Sequence, residues 1–173
     1  MAEKEVEIRE ANWRDAENLI TFFNQVGSET SFLTIDEAGI DISQDKMTEF
    51  LRQMEQKDNA IYLLSLVDDE IVGLIGVTSD SHKRISHIGQ VLIAIKKDYW
   101  GAGLASILFE VMIDWVEKTK KLHRLELTVQ TRNERAVELY KKYKFQIEAE
   151  QKYGARDENG HLISTYLMSR IFD

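Results

Sequence analysis

Apolar residues recur at two different periods along this chain, and each change of period marks a new element. "VEIRE" at 6–10 alternates like a short strand. Asn12 then stands in a capping position ahead of a helix that runs to about Gln25, with Ala16, Leu19, Ile20 and Phe23 on one face. "SETSFLTIDEAGID" is irregular and acidic, and a second helix over about 44–56 presents Met47, Phe50, Leu51 and Met54 at helical spacing. "IYLLSLV" and "EIVGLIGVTS" flank Asp68 and Asp69 as the arms of a hairpin. A third strand over about 84–95 ends in "VLIAI", five successive apolar positions, as in a central strand covered on both faces. Gly89 inside it predicts a bulge or a close backbone approach.

From Gly103 the period becomes helical, with Leu104, Ile107, Leu108, Val111, Met112 and Trp115 on one side and Glu110, Asp114, Glu117 and Lys118 on the other. "RLELTVQ" alternates as a strand, and Asn133 opens a short helix that carries Ala136, Val137 and Tyr140. Two last strands flank "DENG", a hairpin signal. No internal repeat, linker or low-complexity stretch interrupts this order, so a single domain over 1–173 is expected.

Composition narrows the chemistry. Cysteine is absent, which removes disulfides, thiolate metal sites and a cysteine nucleophile. His82, His87, His123 and His161 have no metal-site spacing, so no metal is expected. A net charge of −8 argues against a nucleic-acid partner. No apolar run approaches the roughly 18 residues of a membrane span, and the charged start "MAEKEVEIRE" lacks the apolar core of a secretory signal. A cytoplasmic location with no membrane partner is the expectation.

The stretch "DYWGAGLAS" at 98–106 joins a strand to a helix through Gly101 and Gly103. A helix start leaves backbone N–H groups unpaired and carries about half a positive charge, so this turn could cradle a phosphate or pyrophosphate. The same glycines would also serve a plain tight turn. No Lys-Ser or Lys-Thr follows them, which excludes a P-loop. Ser106 could supply the third small residue of a dinucleotide fingerprint. However, the next strand ends in Gln130 and Thr131 rather than an acid, and the preceding strands are hairpin-connected.

Two motifs in these elements resemble those of the GCN5-related N-acetyltransferases, over nearly the whole chain. The family's Gln/Arg-x-x-Gly-x-Gly/Ala corresponds to Trp100 through Ala105, and its Asn-x-x-Ala-x-x-x-Tyr to Asn133, Ala136 and Tyr140. "KKYKF" follows, with Lys144 where the family has glycine. The resemblance implies an α/β (α+β) fold, a mixed, mostly antiparallel sheet of six to seven strands with helices on both faces and the fourth and fifth strands parallel. It also implies an acetyl-CoA (or CoA) site. The backbone of Ile93, Ala94 and Ile95 would pair with the pantetheine arm, the amides of Gly101, Ala102, Gly103, Leu104, Ala105 and Ser106 would hold the pyrophosphate, and Asn133 would lie near the cofactor. Trp100 departs from the usual Gln or Arg, which leaves the phosphates to backbone amides; an aromatic residue there is familiar in the ribosomal-protein branch of the family.

By the same pattern Tyr140 is the catalytic acid that returns a proton to the CoA thiol, although a tyrosine on the apolar face of a short helix also serves as core. The general base is open. Thr128 occupies the position where some relatives carry glutamate, and Glu126, Glu29, His87 or a water chain remain as candidates. The reaction expected is direct attack of a primary amine on acetyl-CoA in a ternary complex. The acceptor would be a small molecule such as an amino acid or polyamine, taken by the 27–42 loop, the region near Gly89 and the hairpin around Tyr153 to His161. The alternatives are a protein N-terminal acetyltransferase of the ribosomal-protein type, acting on a peptide amine, or a CoA-binding sensor without turnover. A homodimer is a habit of the family.

Overall fold

The structure is a computed structural model that describes residues 4–173; the first three residues of the charged start lie outside the described residues. Among the described residues seven strands form one sheet: β1 (Glu7–Glu10), β2 (Ile61–Val67), β3 (Glu70–Ser79), β4 (Ile88–Ile95), β5 (Arg124–Gln130), β6 (Gln146–Arg156) and β7 (Leu162–Ile171). Their spatial order is β1-β2-β3-β4-β5-β7-β6. Every pairing is antiparallel except β4 with β5, so the expected mixed sheet with its parallel central pair is present. The hairpin turn at Asp68 and Asp69 has φ of 51° and 64°, a left-handed pair of the type that matches strand twist.

The sheet is covered by helices α1 (Ala16–Glu29), α2 (Gln44–Glu55), α3 (Leu104–Thr119) and α4 (Glu134–Lys142). Leu19, Phe22, Val26, Met47 and Leu51 of α1 and α2 pack with Leu64, Leu74 and Ala94 on one face. Leu108, Phe109, Met112 and Val116 of α3, with Val137 and Tyr140 of α4, pack with Leu63, Ile75, Leu125 and Leu127 on the other. Consecutive strand residues thus go to opposite cores, as the pleat requires.

The structure moves several expected boundaries. Asn12 does cap, with its carboxamide accepting from Arg14 N at 3.0 Å while Asp15 accepts from Asn12 N at 2.8 Å, but a 3-10 turn over 13–15 precedes α1. The helix continues to Glu29 rather than Gln25, and Phe22 is buried while Ile20 is only half-buried. Phe50 of α2 is likewise half-buried. Residues 83–87 are turns, so β4 begins at Ile88 instead of 84. Gly89 makes no bulge, since the register with β3 is unbroken from Gly73↔Ile95 to Ser79↔Gly89. Its reason is close packing: a Cβ there would come within 2.6 Å of Val77 Cγ1 and 2.8 Å of Leu125 Cδ2. On α3 the buried stripe is rotated from the expected one. Phe109 and Val116 are enclosed, whereas Ile107 and Val111 are 41% and 37% exposed.

Candidate active site

The parallel pair at the centre of the sheet is short. β4 and β5 are in register only at Ile88↔Arg124, Gly89↔Leu125 and Gln90↔Glu126, and beyond Gln90 they diverge. "VLIAI" is therefore not enclosed on both faces: Val91, Leu92, Ile93 and Ile95 are half-buried, and only Ala94 is buried. Divergence opens a wedge whose left wall is the outer edge of β4.

Which backbone groups line that edge follows from alternation along the strand. Lys96 N donates to Val72 O of β3 at 2.9 Å, while His87 O, on the other side, accepts from His123 N and Arg124 N at 2.9 and 3.2 Å. Even-numbered residues of β4 thus turn their amides to β3, and Val91, Ile93 and Ile95 turn theirs to the wedge. Ala94 belongs to the β3 side, paired with Leu74. The carbonyl of Ile95 is occupied, because Trp100 Nε1 donates to it at 2.8 Å. Trp100 is thereby a brace at the end of β4 and offers no polar group elsewhere.

At the mouth of the wedge the chain turns into α3. Gly101 and Gly103 have φ of 80° and 81°, and Gly103 is the N-cap residue. Nothing lies within 4 Å of a Cβ placed on Gly103, so glycine is required there by backbone conformation and not by crowding. Ile107 N is the first amide to bond back into the helix, to Gly103 O at 3.2 Å. The amides of Gly103, Leu104, Ala105 and Ser106 are accordingly the unpaired helix-start donors. Ala102 N makes only a long contact of 3.4 Å to Tyr99 O. No acidic side chain stands in the first turn of α3 to compete for this positive end.

α4 brings the second motif to the same place. Arg135 Nη2 lies 3.8 Å from the position a Cβ would take on Gly101, so segments about 30 residues apart in sequence meet at the glycine turn. Asn133 Oδ1 accepts from Ala136 N at 3.4 Å, which makes this residue the helix cap. α4 closes with Lys144 N on Lys141 O at 2.9 Å and Phe145 N on Tyr140 O at 3.0 Å, a Schellman ending. Lys144 adopts φ of 65°, the left-handed conformation for which glycine is favoured. Phe145 is thereby folded onto Tyr140, with ring centroids 6.3 Å apart, and Phe109 stands 5.7 Å from Tyr140 on another side.

The Tyr140 ring belongs to the same apolar cluster as Ile93 and Ile95. Burial pushes its hydroxyl up to about 12. Among the described residues that oxygen has no hydrogen-bond partner, yet it is not sealed off, since the only side-chain polar atom there that is both fully enclosed and unpartnered is Ser65 Oγ. A neutral donor in apolar surroundings is the result. Sequence reasoning missed Tyr143. Its ring stacks on Phe109 at 5.0 Å, and its hydroxyl bonds Ser106 O and Glu110 Oε1, both at 3.1 Å, which ties α4 to the first turns of α3.

On the opposite face of the wedge two of the candidate bases, Glu126 and Glu29, are already engaged. Glu126 accepts from Gln90 Nε2 and from Arg124 Nε, the latter at 2.8 Å. Arg124 continues to Glu148, whose carboxyl is held down at about 2 by that guanidinium and then by Ser169. Glu29 accepts from Gln25 Nε2 at 2.8 Å and from Lys97 N, at the end of β4, at 2.7 Å. Thr128 and His87 are exposed, and the His87 carbonyl serves the backbone of β5.

From Glu29 the chain crosses the wedge. Ser31 O accepts from Gln130 Nε2 at 2.9 Å and Ser31 Oγ from Arg132 Nη2 at 3.2 Å, both at the end of β5. The Arg132 guanidinium also stacks on Phe32, 5.4 Å from the ring centre, and pairs with Glu158 of the β6–β7 hairpin at 2.8 Å. A separate cavity of about 400 Å3, lined by Leu51, Met54, Ile61, Tyr62 and Trp115, lies toward the other end of α3. The 16-residue helix is about 24 Å long at 1.5 Å per residue, so this cavity is remote from the glycine turn.

Comparison with known proteins gives concordant matches. The sequence model of the Acetyltransferase (GNAT) family matches residues 21–145. The L-amino acid N-acetyltransferase AaaT of Escherichia coli strain K12 is 33% identical over 110 residues, 63% of this chain and 67% of that protein. An acetyltransferase of GNAT family from Streptococcus pneumoniae superposes with a TM-score of 0.94 at 43% identity, covering 97% of this chain and 100% of the other. The ribosomal-protein-S5-alanine acetyltransferase of Vibrio fischeri shares the fold, with a TM-score of 0.79 at 21% identity over 100% of this chain and 96% of that one.

Proposed function

Because the chain belongs to the GNAT acetyltransferase family and uses acetyl-CoA as its donor, we propose that it N-acetylates a small primary amine of the amino-acid class by direct attack in a ternary complex. Support for a small acceptor comes from the Arg132 latch. By holding Ser31, Phe32 and Glu158 together, it ties the loop after α1 to the β6–β7 hairpin across the end of β5. An extended peptide needs an open groove between those two segments, whereas an amino acid does not. The amino-acid substrate in the name of the Escherichia coli relative agrees with this reading.

The residues at the wedge fit coenzyme A. The Gly101–Ser106 turn presents a helix start, with unpaired amides from Gly103 to Ser106, to the pyrophosphate. The edge of β4, chiefly Ile93 and Ile95, presents backbone groups to an arm that itself carries amides, and Asn133 holds the start of α4 beside the cradle. Ala94 contributes by filling the α1–α2 core and fixing the strand.

Bound acetyl-CoA supplies an acyl group activated as a thioester. The N–H of a wedge-facing residue of β4 is a fixed donor for the negative charge that develops on the acyl oxygen, a contact typically worth about 3 to 4 kcal/mol. Tyr140 holds a proton at its hydroxyl and gives it to the departing sulfur. Glu126 and Glu29 each already accept two hydrogen bonds, which favours an amine that arrives neutral or loses its proton to water.

The test is thermal melting with acetyl-CoA, CoA, NADH and ATP, followed by thiol release with L-amino acids, polyamines and a short peptide with a free N-terminus. A ligand at 100 times its dissociation constant stabilises the fold by about 2.7 kcal/mol, which a melting scan resolves. Stabilisation by the two CoA species alone, with turnover of amino acids, is the expected outcome. Turnover of the peptide in preference to amino acids would replace the small-acceptor reading with protein N-terminal acetylation. CoA binding without turnover of any amine would leave a sensor.

A further inference from the structure

Coenzyme A brings two negative charges in its pyrophosphate to a protein whose own net charge is −8. Half a positive charge at a helix start does not balance them. Where the family motif carries Gln or Arg, this chain has Trp100, and its indole N–H is spent on Ile95 O at 2.8 Å. The requirement for a cation therefore has to be met from another element.

Arg135 is placed to meet it. Its Nη2 is the nearest atom to the Cβ position of Gly101, at 3.8 Å, so the guanidinium stands over the glycine turn from the α4 side. It is exposed and has no hydrogen bond or ion pair among the described residues, unlike Arg9, Arg124, Arg132 and Arg170, each of which has a carboxylate partner. Lys96, at the end of β4, is buried and paired with Glu70. Tyr143, through its bond to Ser106 O, fixes α4 relative to α3 and so fixes where Arg135 starts from.

We propose that Arg135 is the cation that binds the coenzyme A pyrophosphate at the start of α3, in place of the side chain that position 100 supplies elsewhere. This rests on the cofactor site described above. A planar guanidinium can bond two phosphate oxygens at once, whereas a lysine at the same place is a single point charge.

The experiment is calorimetric titration of wild type, Arg135→Gln and Arg135→Lys with CoA, dephospho-CoA and pantetheine, with a ligand-free melt of each variant. Arg135→Gln is expected to raise Kd for CoA and for dephospho-CoA by about tenfold, the scale of one charge-assisted hydrogen bond, and to leave pantetheine unchanged. Arg135→Lys should recover part of the loss, and the ligand-free melts should coincide because the side chain is exposed and unpaired. Unchanged CoA affinity in Arg135→Gln overturns the proposal alone. A loss confined to CoA and absent for dephospho-CoA also overturns it, since the contact would then be to the 3′-phosphate. If the wild type binds none of the three, the cofactor site itself is refuted and the proposal falls with it.

Discussion

Replacing Tyr140 by phenylalanine separates its two readings, because it deletes one oxygen and leaves the ring. The ring contacts with Phe109 at 5.7 Å and Phe145 at 6.3 Å survive, and no hydrogen bond is lost among the described residues. Stability should therefore move by less than about 1 kcal/mol. As an acid the hydroxyl is weak: with its pKa at about 12, only about one molecule in a thousand is ionised at pH 9. Delivering a proton to a thiolate whose free thiol titrates near 8.5 is then uphill by about 3.5 units, or roughly 5 kcal/mol. Burial raises a thiol as well, so a sulfur held beside Tyr140 would be a stronger acceptor and this gap would narrow. General acid catalysis is typically worth 10²- to 10⁴-fold, about 3 to 5 kcal/mol. Tyr140→Phe should lower kcat by that factor while the CoA dissociation constant changes less than threefold. Thiol release under saturating substrates gives the first and calorimetry the second. A kcat within threefold of wild type would refute the catalytic role and leave Tyr140 as core. Loss of CoA affinity without loss of kcat would refute it equally.

Three further outcomes follow from local geometry. Gly103→Ala meets no neighbour but must hold φ of 81°, so it should cost about 1 kcal/mol in urea unfolding and weaken CoA binding through the displaced amides; an unchanged Kd would mean the turn is not the cradle. Lys144→Gly relieves φ of 65° at the end of α4 and should stabilise the fold by up to about 1 kcal/mol, against the loss expected of an ordinary exposed glycine substitution. Alkaline stability should fall between pH 10 and 12. Burial raises both Tyr62 and Tyr140 to about 12, so the unfolded chain releases their protons first, and stability present in full below pH 10 is lost as pH passes through the folded values. Two units correspond to about 2.7 kcal/mol per tyrosine, and urea midpoints that stay flat to pH 11.5 would contradict the assigned burial.

The features legible in the sequence were those carried by neighbours along the chain. The Asp68–Asp69 turn, the alternation of "RLELTVQ" and the glycine pair before α3 each specify a conformation within a few residues, and the structure has all three. Misplaced features depended on what packs opposite. On α3 the apolar positions form two adjacent stripes, and periodicity cannot choose between them; contact with the sheet selects Phe109 and Val116 and leaves Ile107 and Val111 outside. "VLIAI" has the composition of an enclosed strand, but enclosure needs β5 alongside, and β5 has already diverged. Gly89 showed the opposite ambiguity, since a bulge and a crowded neighbour leave the same mark on a sequence. Nor could the sequence show that Glu126 and Glu29 are spoken for, because Lys97 is 68 residues from Glu29 and Gln90 is 36 residues from Glu126.

Those distant contacts are what keep the wedge open at a fixed width. At its fork, Gln90 and Glu126 join β4 to β5 through their side chains at the last paired residues, and Arg124 anchors Glu126 in turn. At its mouth the strands are held apart by a strut: Glu29 bonds the chain just past β4, and two residues later Ser31 bonds Gln130 and Arg132 at the end of β5. A gap between two strands would otherwise close by extending the parallel ladder, which satisfies more backbone groups. With the fork pinned and the mouth braced, the amides of Ile93 and Ile95 keep their direction before any ligand arrives. Donors fixed in this way need no reorganisation when charge develops beside them, which is the condition under which a single backbone N–H contributes its full effect to catalysis. The two carboxylates that look like bases in the sequence thus hold the strands that border the wedge.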